Sequence, residues 1–264
     1  MNRRATQNQE HRFRPSYAKQ QSLALLREYF VLRTNDLAAL QRNCEPNDSD
    51  RRTARRTLYL LSQQGLVHRI PYLDLEHLCG GATYAYGLSD RGVKEYGGKT
   101  FDEHSRRTLD HELAITDFHI SLKHFCEGQG FDLRWLQSHL KRGIHPDAYF
   151  SVTNPKIEGK NTNHFFVEIE RSKIGNQKNG EPSIMRKLAQ YYETYNTDQC
   201  YRDWNLTTFR VIVQVMNKTR AENLLAALAA RFNHSMFWIG RSDEQLVYRT
   251  PKDHSERTYT LLDI

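Results

Sequence analysis

Ser49-Asp50-Arg51-Arg52-Thr53-Ala54-Arg55-Arg56-Thr57-Leu58-Tyr59-Leu60-Leu61-Ser62-Gln63-Gln64, closed by Gly65, decides how the first part of the chain is read. Ala54, Leu58 and Leu61 stand at i, i+4 and i+7, the spacing of a single packing stripe on a helix. Ser49 is expected to cap its start and Gly65 to end it, because glycine tolerates the positive φ of a helix terminus. Arg51, Arg52, Arg55 and Arg56 crowd the N-terminal half, mostly off the stripe. Such a face can simply be solvated. It also suits a recognition helix, whose N-terminal residues meet base edges, since the arginine fork bonds guanine O6 and N7 together.

Working outward, Met1–Pro15 reads as a flexible basic arm, either solvated or touching phosphate. A helix is expected from Ser16 or Tyr17 to Leu32, with Leu23, Leu26 and Phe30 as its stripe. Thr34 looks like the cap of a short second helix that turns Leu37 and Leu40 inward. Downstream, Leu66–Ile70 and Thr83–Leu88 look like a strand pair, and Ser89 caps a helix through Tyr96. Three helices, a two-stranded wing and a closing helix are the winged-helix order, and the phrase GLVHRI … YAYGLSDRGVKEY resembles the wing of many bacterial winged-helix proteins. Arg69 on the first wing strand joins the four helix arginines as a DNA-binding candidate. The hairpin tip, Pro71–Gly81, instead carries Asp74, Glu76, Leu75 and Leu78, which suits a protein contact.

The bulk composition agrees. A length of 264 residues allows two modest domains, and 38% hydrophobic residues can build their cores. The net charge of +7 is concentrated: residues 1–100 hold 16 Lys and Arg against 10 Asp and Glu, whereas the rest is nearly balanced at 22 against 21. That excess fits a nucleic-acid partner, and with the winged-helix resemblance double-stranded DNA is the expected one. Cys44, Cys79, Cys126 and Cys200 form no C-x-x-C, which argues against a zinc ribbon and reads as reduced cytoplasmic thiols. No apolar run approaches the roughly 20 residues of a membrane helix. The expected division is an arm over 1–15, a winged helix-turn-helix domain over 16–98, a linker over Gly97–Ser105, and a second domain over 106–264.

That second domain opens with a helix from about Arg106 to Glu127, rich in apolar residues and expected to be well buried. His111-Glu112 starts like a zinc-protease motif, but Ile115 stands where the second histidine belongs. Strands are expected at Phe131–Trp135, His145–Val152 and His164–Arg171. In the last of these Phe165, Val167 and Ile169 share one face and Glu168 and Glu170 the other. A helix over Ser183–Tyr195, a strand over Thr208–Met216, a helix over Ala221–Phe232 and a final strand over Met236–Ile239 complete the order α-β-β-β-α-β-α-β.

This order, with Pro146-Asp147 on the second strand and carboxylates on the third, resembles the PD-(D/E)XK nuclease superfamily. The fold class is then α+β, a winged helix followed by an α/β restriction-endonuclease-like domain. The resemblance implies that Asp147 and Glu168 hold Mg²⁺ or Mn²⁺, with Glu112 from the preceding helix or Glu170 assisting. Where the superfamily has D/E-x-K on the third strand, this chain reads Glu168-Ile169-Glu170, so Lys187 on the next helix is the candidate replacement. Mg²⁺ prefers carboxylate oxygens and water, and beside a phosphate it stabilises charge and activates a nucleophile. The bland alternatives are a turn carboxylate at Asp147, an exposed sheet face at Glu168 and Glu170, and a solvated Lys187.

A winged helix followed by LDHELAITDFHISL, PDAYF, FFVEIERS and KLAQYYETY resembles the replication-relaxation family, found with bacterial plasmids and other mobile elements. Some of its relatives are relaxases that nick one strand at a transfer origin. The resemblance implies metal-dependent nicking directed by the winged helix. The competing expectation is a non-catalytic replication or transfer accessory protein, or a transcriptional regulator, on a degenerate nuclease-like scaffold. A homodimer or a mobile-element protein are the further partners considered. Tyr191, Tyr192 and Tyr195 are either nucleophile candidates or core side chains.

Overall fold

The computed structural model describes residues 16–42, 45–72, 83–100, 106–136, 144–157, 162–171, 183–197, 199–252 and 258–261. The basic arm, much of the linker and most of the expected hairpin tip Pro71–Gly81 lie outside the described residues, while Pro71 and Tyr72 belong to a strand. The chain divides into two compact units, Met1–Gln41 with Pro46–Phe101, and Arg42–Glu45 with Asp102–Ile264.

In the first unit, α1 (Tyr17–Tyr29) buries Leu23 and Leu26 on its stripe. It ends three residues before the expected Leu32. Phe30 takes a φ of 59°, which breaks the helical path, and Val31–Arg33 becomes β1. Val31 is β-branched and suits a strand, and both Val31 and Leu32 are fully buried there. In α2 (Thr34–Arg42), Asp36 accepts from the Arg33 backbone N–H at 2.7 Å and pairs with its guanidinium at 2.8 Å. The third helix, α3 (Asp48–Gln63), is capped by Asn47 and not by Ser49. Asn47 and Asp50 each accept from the other's backbone N–H at 3.1 Å, a reciprocal capping box. Ala54, Leu58 and Leu61 are buried as the periodicity predicts, and Gly65 follows at φ 66°.

The strands β2 (Val67–Tyr72) and β3 (Thr83–Leu88) pair antiparallel, and β1 adds to the far side of β3, giving the order β1-β3-β2. Ser89 caps α4 (Asp90–Tyr96) by accepting from Gly92 N–H at 3.0 Å. Gly92 is required there: a Cβ would meet the Leu66 carbonyl oxygen at 2.1 Å.

The second unit is a mixed α+β layer built on a six-stranded sheet of order β4-β5-β6-β7-β8-β9. Its elements are α5 (Arg106–Gln129), β4 (Asp132–Leu136), β5 (Ala148–Thr153), β6 (Thr162–Glu170), α6 (Ser183–Asn196), α7 (Gln199–Trp204), β7 (Arg210–Val215), α8 (Lys218–Arg231), β8 (Phe237–Arg241) and β9 (Glu244–Arg249). β5 runs antiparallel to both of its neighbours, β4 and β6; β6, β7 and β8 run parallel, and β9 returns antiparallel. The sequence predicts neither α7 nor β9; Met236–Ile239 is therefore not the end of the sheet.

Two cores lie on the two sheet faces. Ile115, Phe118, Leu122 and Cys126 of α5 pack against Phe150, Phe165, Val167 and Ile212. Met185, Leu188 and Tyr191 of α6, with Leu224 and Leu228 of α8, pack against Phe166, Val211 and Val213. The alternation along β6 thus survives, with Phe165, Val167 and Ile169 toward α5 and Phe166 toward α6.

Candidate functional site

Asp147 stands on the residue before β5. Because Ala148 is opposite Val167, Asp147 is brought beside Glu168 at one end of the sheet. Its N–H donates to the Val167 carbonyl at 3.0 Å, and its Oδ2 accepts from the Ile169 N–H at 2.7 Å. The side chain therefore continues the β5–β6 ladder where the backbone of β5 leaves off. The other oxygen, Oδ1, lies 3.2 Å from His111 Nε2 in the first turns of α5. The hydrogen bond to Asp147 raises the His111 pKa above its ordinary value against an opposing burial effect, with Asp147, Glu112 and Glu168 adding attraction by charge.

Glu168 is buried at 3% exposure on the α6 side of β6. An isolated carboxylate there would be costly, so its oxygens need donors. Tyr191 donates its hydroxyl to Oε1 at 2.7 Å, and Lys187 donates its ammonium to Oε2 at 2.5 Å. Lys187 and Tyr191 are four apart on α6 and so share one side of that helix. Burial, and then repulsion from Asp147, push the Glu168 pKa up to about 7 in spite of Lys187 and Tyr191. The register that sets Ala148 opposite Val167 makes the two carboxylates neighbours.

Glu170, one turn of the alternation further on, is occupied differently: Arg220 at the start of α8 reaches its Oε1 at 3.1 Å. Glu112 acts on the pair through its charge on His111. Asp147, Glu168 and Lys187 are thus brought together, Glu170 faces Arg220, and two residues that the sequence did not single out for the site, His111 and Tyr191 as a donor, enter the cluster. The phase that turns His111 toward Asp147 is a tertiary fact with no local signature. Tyr191 had one, its i+4 spacing from Lys187. Tyr191 is fully buried and donates to a carboxylate, which raises its pKa well above the ordinary phenol value; it is a core donor in this structure. Tyr192 and Tyr195 pack on Phe232, Phe209 and His234.

No group of three or more His, Cys, Asp or Glu side chains suited to a metal occurs among the described residues. The neighbouring pair Asp147 and Glu168 is a two-carboxylate set, which is what Mg²⁺ takes from proteins when water and phosphate complete its shell.

In the first unit, Arg52, Arg55 and Arg56 are exposed on α3, whereas Arg51 is half-buried and pairs with Asp48 at 3.2 Å. Exposed Arg69 on β2 holds its guanidinium 4.0 Å over the Tyr84 ring. Arg55 and Arg69 both act by charge on Tyr86, whose hydroxyl bonds to the Thr34 side chain, so helix and strand arginines converge on one region of the unit.

No curated protein and no solved structure matches the chain. A family model described as replication-relaxation matches residues 23–208, from α1 past α7, a span that includes Asp147, Glu168 and Lys187. That span is most of the chain, and the protein belongs to the replication-relaxation family.

Proposed function

We propose that this family member binds duplex DNA through a winged helix made of α1–α4 and β1–β3, and nicks DNA with a PD-(D/E)XK-type site in its second unit. The observation that carries the reading is the convergence of Asp147 and Glu168 at the end of adjacent strands, with Lys187 delivered to Glu168 from α6. Strands β4–β7, antiparallel and then parallel with α6 entering between β6 and β7, agree with that fold. The exposed arginines of α3, beside the β2–β3 hairpin, support the first half.

Asp147 and Glu168 would hold the Mg²⁺ or Mn²⁺. When bound, such a cation stabilises charge on a phosphate and lowers the pKa of water. The chain's own groups do the rest. The Ile169 N–H fixes the orientation of the Asp147 carboxylate. Tyr191 keeps Glu168 in place, and Lys187 keeps a positive charge at the position from which a scissile phosphate is faced. Glu170, neutralised by Arg220, is a supporting carboxylate.

A second reading has its own observation: Asp147 and Glu168 already have the donors His111 and Lys187, and β6 bears Glu170 where the strand lysine belongs. In that reading the second unit is a scaffold in an accessory DNA-binding protein. The deciding assay uses a supercoiled plasmid carrying the element's own replication or transfer origin, with Mg²⁺ or Mn²⁺. Conversion to open circles is expected with the wild type and not with Asp147→Asn, while both bind the origin duplex equally. No conversion with either metal replaces the enzyme by the accessory protein.

A further inference from the structure

The α6-side face of the sheet does not end at Glu168. Beyond it, β4, β5 and β6 carry a strip that α6 leaves partly uncovered. Leu136, Tyr149 and Phe166 form one rung, and Arg134, Ser151 and His164 the next. Leu136 is 47% exposed at the end of β4, and Arg134 is exposed with no ion pair among the described residues. Tyr149 and His164 are half-buried, with rings nearly parallel at 16° and the tyrosine hydroxyl 2.6 Å from His164 Nδ1. Phe166 supports Tyr149 from the side at 5.5 Å between ring centres. Arg134 is close enough to act by charge on Tyr149. The strip is therefore a rigid aromatic platform with an apolar flank and an exposed cation.

We infer that this strip is a binding subsite for single-stranded DNA, taking an unpaired base on Leu136, Tyr149 and His164 and the adjoining phosphate on Arg134. The inference rests on the nicking site proposed above and names its substrate as an unpaired strand. Three features favour this occupant. Stacked bases need a π-face or apolar face on one side and a cation within reach of the backbone, and both are present. Tyr149 is two residues from Asp147, about 7 Å along an extended strand, so a nucleotide on the platform adjoins one at the carboxylate pair. Duplex DNA keeps its base faces stacked internally and offers nothing to such a platform, whereas an extruded or melted strand does.

The test separates the subsite from the chemistry. Binding of a fluorescein-labelled oligodeoxythymidylate of about a dozen nucleotides is followed by anisotropy, without divalent metal. The full-length chain carries Arg52→Ala and Arg55→Ala so that α3 does not mask the result. Adding Leu136→Asp with Arg134→Glu, both at exposed positions, is expected to weaken binding about tenfold or more. Tyr149→Leu, which keeps an apolar side chain against Phe166, is expected to weaken it as well. In a chain with intact α3 arginines, the same changes leave origin-duplex affinity unaltered. Oligonucleotide binding that is unchanged in Leu136→Asp/Arg134→Glu overturns the subsite, even if the plasmid assay shows nicking. Oligonucleotide binding abolished in these variants, with no nicking by the wild type, keeps the subsite and removes the enzyme.

Discussion

Lys187 reaches Glu168 at 2.5 Å across the gap between α6 and β6, and it remains 27% exposed while its partner is 3% exposed. The pair is thus asymmetric: the cation has access to water and the carboxylate does not. Lys187→Met should leave Glu168 with Tyr191 alone and raise its pKa further, so that it takes up a proton, at a cost of about 1–3 kcal/mol at neutral pH. Urea denaturation measures it. A loss below about 1 kcal/mol would make the lysine a surface charge of little consequence.

Tyr191→Phe keeps the ring against Phe166 and removes only the hydroxyl donor. A hydrogen bond to a charged group contributes about 1.5–3 kcal/mol. In a double-mutant cycle with Lys187→Met the two losses should not add, because both donors serve one carboxylate. Strict additivity would place them in separate interactions.

Asp147→Ala and Asp147→Asn should differ in stability. Alanine leaves the Ile169 N–H without its acceptor, costing about 1–3 kcal/mol, whereas asparagine retains an oxygen for it. Thermal melts of the two variants give the comparison. Equal melting temperatures would show that the rung carries no weight.

His119 sets a pH dependence. Its ring stacks on Trp135 at 4.1 Å, and burial, followed by the Lys123 charge, lowers its pKa to about 3. The unfolded chain takes up that proton near the ordinary value of about 6.5. Between these values the unfolded state binds more protons, so stability falls as pH drops from about 6.5 towards 3. His119→Phe keeps the stack and removes this contribution. The variant should gain about 2 kcal/mol relative to the wild type at about pH 5, measured against their difference at neutral pH. Parallel stability curves for the two proteins through this range would refute it.

Arg52→Ala with Arg55→Ala should weaken origin-duplex binding by about 1–3 kcal/mol for each bidentate arginine–base pairing that the changes remove. The melting temperature should stay unchanged, because both side chains are exposed. Arg51→Ala should weaken binding less, since Arg51 is already engaged by Asp48 on its own helix. Titrations at fixed salt distinguish the three arginines.

The legible parts of the sequence are those written in periodicity. The Ala54, Leu58 and Leu61 stripe and the two faces of β6 are local patterns, and both survive in the fold. The illegible parts involve short elements and tertiary choice. Pro46 makes Asn47 read as part of a turn, although Asn47 and Asp50 hold the capping-box spacing. α7 has six residues, too few to display a period, and β9 shows its alternation only once Leu246 and Tyr248 are seen to be buried in one core with Trp238. For the candidate cluster, the resemblance names Asp147, Glu168 and Lys187 together, and the fold makes them neighbours. It does not extend to His111, because which residue of α5 meets Asp147 depends on how that helix is rotated against the sheet.

The stack of Arg69 on Tyr84 has a thermodynamic consequence for recognition. A long side chain loses rotamer freedom wherever it becomes fixed, and for Arg69 much of that loss occurs when β2 and β3 form. The exposed arginines of α3 have no such support and must be ordered at the moment of binding. In the DNA-binding role proposed above, a phosphate or base would therefore meet one guanidinium already held in position and several that adjust to it. In that role the hairpin would set the register, and the helix arginines would adapt to the sequence beneath them.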